Sequence, residues 1–272
     1  MLRHKTGRRP ARHTRRTMKS ALVLHAALAA LGTPPATPQN YVSAVLAQSQ
    51  QGWINWWNSQ LGDCVCEDSG HELMLVTANA GKIIIPSAND ILALYEAVGG
   101  YVPGKASTDQ GCDETSMCEY LMTTGLCGQR SAGTGMLADP TNMDHIRWAV
   151  QLFGSCRLGI IVDEQMEEQF SSNQPWTTPA APNDPNAGDH DVPVVDYDSD
   201  YAYVITWGGK AAVAWSLMQN PEFLDEAHAS IWPAFVQATG SAPNGLSLSQ
   251  LLADLPAVDG ATPTPPPSVQ VA

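Results

Sequence analysis

With 272 residues, 44% of them hydrophobic, the chain has material for one large globular domain or two smaller ones. Its charge is segregated: eight of the 14 Lys and Arg lie in residues 1–20 with no acid among them, while all 27 Asp and Glu stand at or after Asp63. Such an acidic body argues against direct nucleic-acid binding and leaves the basic arm, residues 1–20, to meet phosphates, lipid headgroups or an acidic protein partner.

Arg8-Arg9 and Arg15-Arg16 precede an apolar run over residues 21–31 that His25 interrupts. This is the outline of a secretory signal, but Gly32-Thr33-Pro34-Pro35 follows without a small-x-small cleavage site, and the alternative is an exposed basic arm leading into a short helix. No stretch reaches the roughly 18 apolar residues of a membrane span. Six cysteines are too few for a disulfide framework in a chain of this size and do not assign a redox compartment.

Residues 1–40 read as the arm, basic and then Pro-rich. Residues 41–51 suit a short helix, and three tryptophans in residues 52–58 suit packing at a groove edge. A helix is expected over Cys64–Asn79. Ser87 is a good N-cap for a helix over residues 88–98, and others are expected over 113–124, closed by Gly125, and over 140–153, the most amphipathic. The character then changes. Cys156–Val162 reads as a strand, residues 171–189 as a surface loop, and residues 192–197, 201–207, 210–215 and 223–231 as further β runs. A last helix fits residues 246–255, and residues 259–272 form a Pro-rich tail expected to be disordered. Helices first and an antiparallel sheet second describe an α+β fold of two lobes, about 41–154 and 155–258, with a cleft between them.

Cys64 opens the first long helix directly after Gly62-Asp63. A cysteine at a helix N-terminus faces unpaired N–H groups and the positive end of the dipole, both of which favour thiolate. A thiol nucleophile needs an imidazole for its proton, donors for an oxyanion and a group to orient the imidazole. Gly188-Asp189-His190 supplies the imidazole ahead of a β run. The backbone N–H of Cys64 and a side-chain amide upstream, Gln60 or Asn58, supply the oxyanion donors.

The order Cys64, then His190, then Ile205-Thr206-Trp207-Gly208 resembles the papain-like cysteine peptidases, and within them the divergent bacterial and phage branch. Gly62-Asp63-Cys64, Asp109-Gln110-Gly111-Cys112 with its following helix, and Arg9-Pro10-Ala11-Arg12 in the arm extend the resemblance. It implies a papain-like two-lobed fold, no cofactor, a peptide or protein substrate, and a cytoplasmic or virion-associated setting. Ile205 stands where the family has the asparagine that orients the imidazole, so Thr206, Asp189, Asp191 or a backbone carbonyl must replace it. Trp207 matches the tryptophan that shields the imidazole. Spacing from the cysteine puts Asn58, not Gln60, at the family's oxyanion-hole glutamine. Glu114-Thr115 replaces the Gly-Gly that receives substrate backbone, and Leu61 replaces a cysteine that usually pairs with the one at Cys112.

Two functions follow. One is a papain-like thiol hydrolase acting through Cys64 and His190 by an acyl-enzyme, with amidase or acyltransferase variants of the same chemistry. The other is a papain-fold binding or structural protein, such as a phage virion or accessory component, that no longer cleaves. Cys66 competes with Cys64 but lies deeper in the helix. His71 reads as a packed helix residue. The Cys64-x-Cys66 and Cys112-x5-Cys118 spacings are not those of common zinc sites, so no metal is expected. The acidic residues 163–168 read as a solvated face.

Overall fold

The computed structural model describes residues 4–10, 12, 25–26, 28–181 and 184–239. The expected helix at 246–255, the tail 259–272, Arg15-Arg16 and much of the apolar run 21–31 lie outside the described residues. Among the described residues there are eight α-helices: α1 (Val42–Gln48), α2 (Cys64–Asn79), α3 (Ala88–Gly99), α4 (Glu114–Thr123), α5 (Met143–Phe153), α6 (Glu164–Ser171), α7 (Trp215–Met218) and α8 (Pro233–Thr239). Six strands, β1 (Gly133–Met136), β2 (Cys156–Val162), β3 (Gly188–Tyr197), β4 (Tyr201–Thr206), β5 (Gly209–Ala214) and β6 (Leu224–Ile231), form one antiparallel sheet in the order β1-β6-β2-β3-β4-β5.

Helix α2 is the axle of the molecule. It is buried from Cys64 to Ala78 and packs against α1, α3, α4 and α8 as well as β3 and β4. A helix with no solvent face belongs to the core, and its polar residues must find partners there. They do. Glu67 accepts from Trp56 N–H at 2.7 Å, the His71 ring meets the Ile54 carbonyl at 2.8 Å, and Glu72 accepts from Ser155 at 2.8 Å. His71 is thus a packed residue, with Trp53 and Trp56 against its ring. The tryptophan-rich stretch folds over α2 and donates indole N–H groups to Pro86 and Ala88 at the entry to α3.

Local capping chemistry marks the other helices. Ser87 and Asp90 form a reciprocal capping box on α3, and Asp113, Asn142 and Asp163 cap α4, α5 and α6. Gly100 and Gly154 end α3 and α5 in the left-handed region.

Several elements depart from the expected pattern, the short helices α7 and α8 among them. Residues 163–168 open α6: Glu164, Gln165 and Glu168 face solvent as expected, while Met166 tucks into the core behind the Asp163 cap. β1, with the sequence Gly-Thr-Gly-Met, has little intrinsic β preference and exists through pairing with β6. β3 begins at Gly188 rather than at residue 192, so His190 lies within the strand, paired with Ile160. The β4–β5 turn is Trp207-Gly208, both with positive φ, so Trp207 leaves the strand expected over residues 201–207. Among the described residues, no helix is long and apolar enough to cross a membrane.

Candidate active site

Cys64 is the first residue of α2, where that helix meets β3. It is 1% exposed, and its sulfur lies beside the backbone amides of Asp191 and Gly7. Burial pushes its thiol well above the usual range, aided by the nearby Asp191 and Cys112, and these two amides only partly offset it. Desolvation therefore outweighs the helix terminus in this state, against the expectation of a thiolate. Cys66 is fully buried two residues further in, 3.8 Å from Cys112, and its thiol is also pushed up by burial. Cys112, lacking a cysteine at position 61, thus faces Cys66. All six cysteines are free.

His190 is buried on β3. Its Nε2 lies 2.7 Å from Thr206 Oγ1, and its ring stacks on Trp207 with centroids 5.0 Å apart at 21°. Trp207 reaches this position from the unusual left-handed backbone of the tight β4–β5 hairpin, which β-strand twist favours. Of the groups considered for orienting the imidazole, Thr206 is the one that touches it. Asp189 is engaged with Arg8, Asp191 with the cluster around Arg157, and Ile205 is buried apolar surface. The His190 Nδ1 has no hydrogen-bond partner among the described residues, so it makes no bond to Cys64 here. Burial, with smaller contributions from His4 and Arg8, lowers the His190 pKa to about 3. The two groups thus stand as neutral thiol and neutral imidazole.

The two amides separate clearly. Asn58 is buried, and its Nδ2 donates to the carbonyls of Lys5 at 3.3 Å and Leu61 at 3.4 Å. Gln60 is exposed. Beside Asn58, burial pushes the Asp63 carboxyl up to about 7.

Beneath the site lies a polar cluster that motif reading missed. Arg157 on β2 is fully buried; it donates to Ser69, the Val65 carbonyl and Glu114 at 3.0 Å each, and Asp68, Glu72 and Asp191 lie 3.5–3.6 Å from its guanidinium. Glu114, placed by resemblance on a substrate-binding glycine, is therefore an internal strut. Carboxyl oxygens of Asp68, Glu114 and Asp191 come within 4.8 Å of one another, a spacing that could suit a metal ion, but the Arg157 guanidinium supplies the positive charge. Burial pushes Asp68 up to about 8 and raises Glu114 and Asp191 too, so the cluster retains protons near neutrality.

Residues 4–10 fill the space above Cys64. His4 stacks on Trp207 at 4.4 Å, and the Lys5 amide donates to the Asn58 carbonyl at 3.3 Å. The Cys112 amide donates to the Gly7 carbonyl at 3.0 Å and the Arg9 amide to the Cys112 carbonyl at 2.9 Å, a parallel bridge. Gly7 passes between Gly62 and Gly111, where a Cβ on Gly7 or Gly111 would overlap backbone. The arm's described cations meet the chain's own body: Lys5 pairs with Asp109, Arg8 with Glu226, Asp189 and Asp225, and Arg12 with Asp113. Charge segregation was the signal in the sequence that could have revealed this docking. A cavity of about 460 Å³ flanks Lys5 and Thr6, lined also by Asp109, Asp163, Glu164 and Glu167.

No protein-family model matches the sequence, and no curated protein matches it. Solved structures do. Xylellain, a cysteine protease from Xylella fastidiosa, superposes with a TM-score of 0.56 at 13% identity over 85% of this chain and 98% of its own. Procathepsin B S9 from Trypanosoma congolense gives 0.53 at 13% identity over 84% and 86%. At such identity the likeness is one of fold, and the fold is papain-like.

Proposed function

We propose that this chain, carrying the papain-like fold, is a cysteine peptidase that cleaves peptide or protein substrates through Cys64 and His190. One observation carries the reading. The sulfur at the start of α2 lies beside the backbone of Asp191, the residue after His190, whose ring Thr206 holds and Trp207 covers. With Thr206 accepting from Nε2–H, Nδ1 is the basic nitrogen. Once the cleft is open to substrate, Nδ1 takes the Cys64 proton and the thiolate attacks the scissile carbonyl carbon. The developing oxyanion is held by the Cys64 N–H and by Asn58 Nδ2, which in the resting state already donates to a carbonyl, that of Lys5. Imidazolium returns the proton to the leaving amine, giving a thioester. His190 then draws a proton from water, which attacks the thioester and releases the acid. Gln60, exposed to solvent, has no part in this scheme.

A second reading, a papain-fold binding or virion component that does not cleave, is favoured by the covered Cys64 and by isoleucine at position 205. Iodoacetamide labelling with peptide mapping separates the two. In the Arg8→Ala chain, Cys64 should alkylate at least tenfold faster than in the parent, with the exposed Cys127 as internal reference. His190→Ala in that background should remove the gain, and Cys64→Ala should abolish hydrolysis of a casein substrate. Cys64 reactivity indifferent to His190 would sink the peptidase reading.

A further inference from the structure

The Arg8 side chain is wholly buried although it belongs to the N-terminal arm. Its Nη1 bonds Glu226 Oε1 at 2.5 Å, and its Nη2 bonds Asp189 at 2.9 Å and Asp225 at 2.8 Å. Asp189 comes from β3, and Asp225 with Glu226 from β6. Between them β2 carries Gly159, paired with Asp191 on one side and Glu226 on the other. A Cβ at position 159 would lie 2.7 Å from Arg8 Cζ and 2.6 Å from Glu226 Cγ. This glycine has no left-handed backbone to explain it. It is the floor of a pocket, and a larger residue would fill the space the guanidinium takes.

The walls are built for that group. His228 bonds the second oxygen of Glu226 at 3.0 Å and fixes the carboxylate from behind. Glu226 is 1% exposed, whereas the side chains of Asp189 and Asp225 are 39% and 40% exposed, so the pocket has a buried base and an open mouth. Carboxylates meeting two guanidinium nitrogens from different directions suit the planar fork of arginine better than the point charge of lysine. The pocket also lies beside the candidate nucleophile: the Gly7 backbone runs next to Cys64, and the next amide, of Arg8, bonds the carbonyl of Asp189, the neighbour of His190, at 3.2 Å.

We infer that this is the specificity pocket of the cleft: it receives an arginine side chain of the peptide substrate near the scissile bond, and Arg8 of the arm is its resident competitor. The inference rests on the peptidase reading above. Substrate arginine enters when the arm withdraws, so arm and substrate are mutually exclusive.

The test uses the full chain carrying Arg8→Ala, which vacates the pocket. Fluorogenic peptides with a single arginine scanned across the positions flanking the bond are compared with peptides holding citrulline, the neutral isostere. One position should prefer arginine about 100-fold or more in kcat/KM, and Glu226→Gln should cut that ratio at least tenfold. Equal cleavage of both peptides at every position overturns the pocket and leaves the peptidase intact. Binding is read separately by fluorescence anisotropy in the Arg8→Ala, Cys64→Ala chain, with a labelled peptide of residues 4–12 and its citrulline-8 form. Preference for the arginine form without cleavage by any Cys64 chain upholds the pocket as a binding site and overturns the peptidase. If Arg8→Ala fails to fold by thermal melt, Arg8→Lys replaces it, since lysine keeps the charge but cannot fork across the carboxylates. No discrimination in that chain overturns the pocket.

Discussion

Thr206 reaches the His190 ring through a single oxygen at 2.7 Å, in a place where the family pattern would put an amide on the preceding residue. Ile205 points into the core, and the hydroxyl one position later takes the contact. On the peptidase reading Thr206 is a positioning residue. Thr206→Val should lower kcat about 10–100-fold with KM little changed, while Thr206→Ser, which keeps the oxygen, should stay within a few-fold of the parent. Steady-state kinetics in the Arg8→Ala chain check this, and the pH profile of kcat should move in the valine variant alone. Candidate residues were legible because motif order survives divergence: Thr206 bonds the His190 ring and Trp207 covers it, while Cys64 opens α2, which packs on the strand carrying His190. Between the two amides, spacing from Cys64 favoured Asn58, and burial separates it from exposed Gln60. Arg157 was not legible, for a lone arginine in a strand carries no motif.

At the scale of elements, Arg157 ties β2 to α2, α4 and β3, the elements that hold Cys64 and His190. Arg157→Leu should destabilise the fold by about 3–5 kcal/mol, because it leaves Glu114 and its neighbours buried without a counter-charge. Urea unfolding followed by tryptophan fluorescence measures this, and a loss below 1 kcal/mol would show that the cluster is held by shared protons alone. The capped helices and β2 were readable from local chemistry. β1 and α6 were not. β1 is created by its partner strand, and α6 has so few apolar residues that one buried methionine and an Asp cap define it.

The whole molecule buries an unusual number of carboxyls, and this gives its stability a sign with pH. Burial raises Asp63 to about 7 and Asp68 to about 8, and moves Glu67, Glu114 and Asp191 upward as well. The native state then binds more protons than the unfolded chain between the ordinary carboxylate range and about pH 8, so stability falls as pH rises through that window. His71 and His190, lowered by burial to about 4 and about 3, act oppositely and only below about pH 6.5. Urea midpoints should therefore be higher at pH 6.5 than at pH 8, and Asp68→Asn should flatten the difference. An unchanged midpoint over that interval would refute the buried-proton account.

By itself the sequence determined the class of fold, the helix carrying Cys64, the order of the site residues and the division into a basic arm and an acidic body. These depend on periodicity, capping and spacing along the chain, which neighbours in sequence decide. Only the tertiary structure decided that the arm lies against Gly62, Gly111 and Asp189, that Arg8 fills a pocket floored by Gly159, and that burial keeps Cys64 a thiol in that state. Those outcomes depend on desolvation and on contacts between residues as many as 218 positions apart, and no local pattern encodes them.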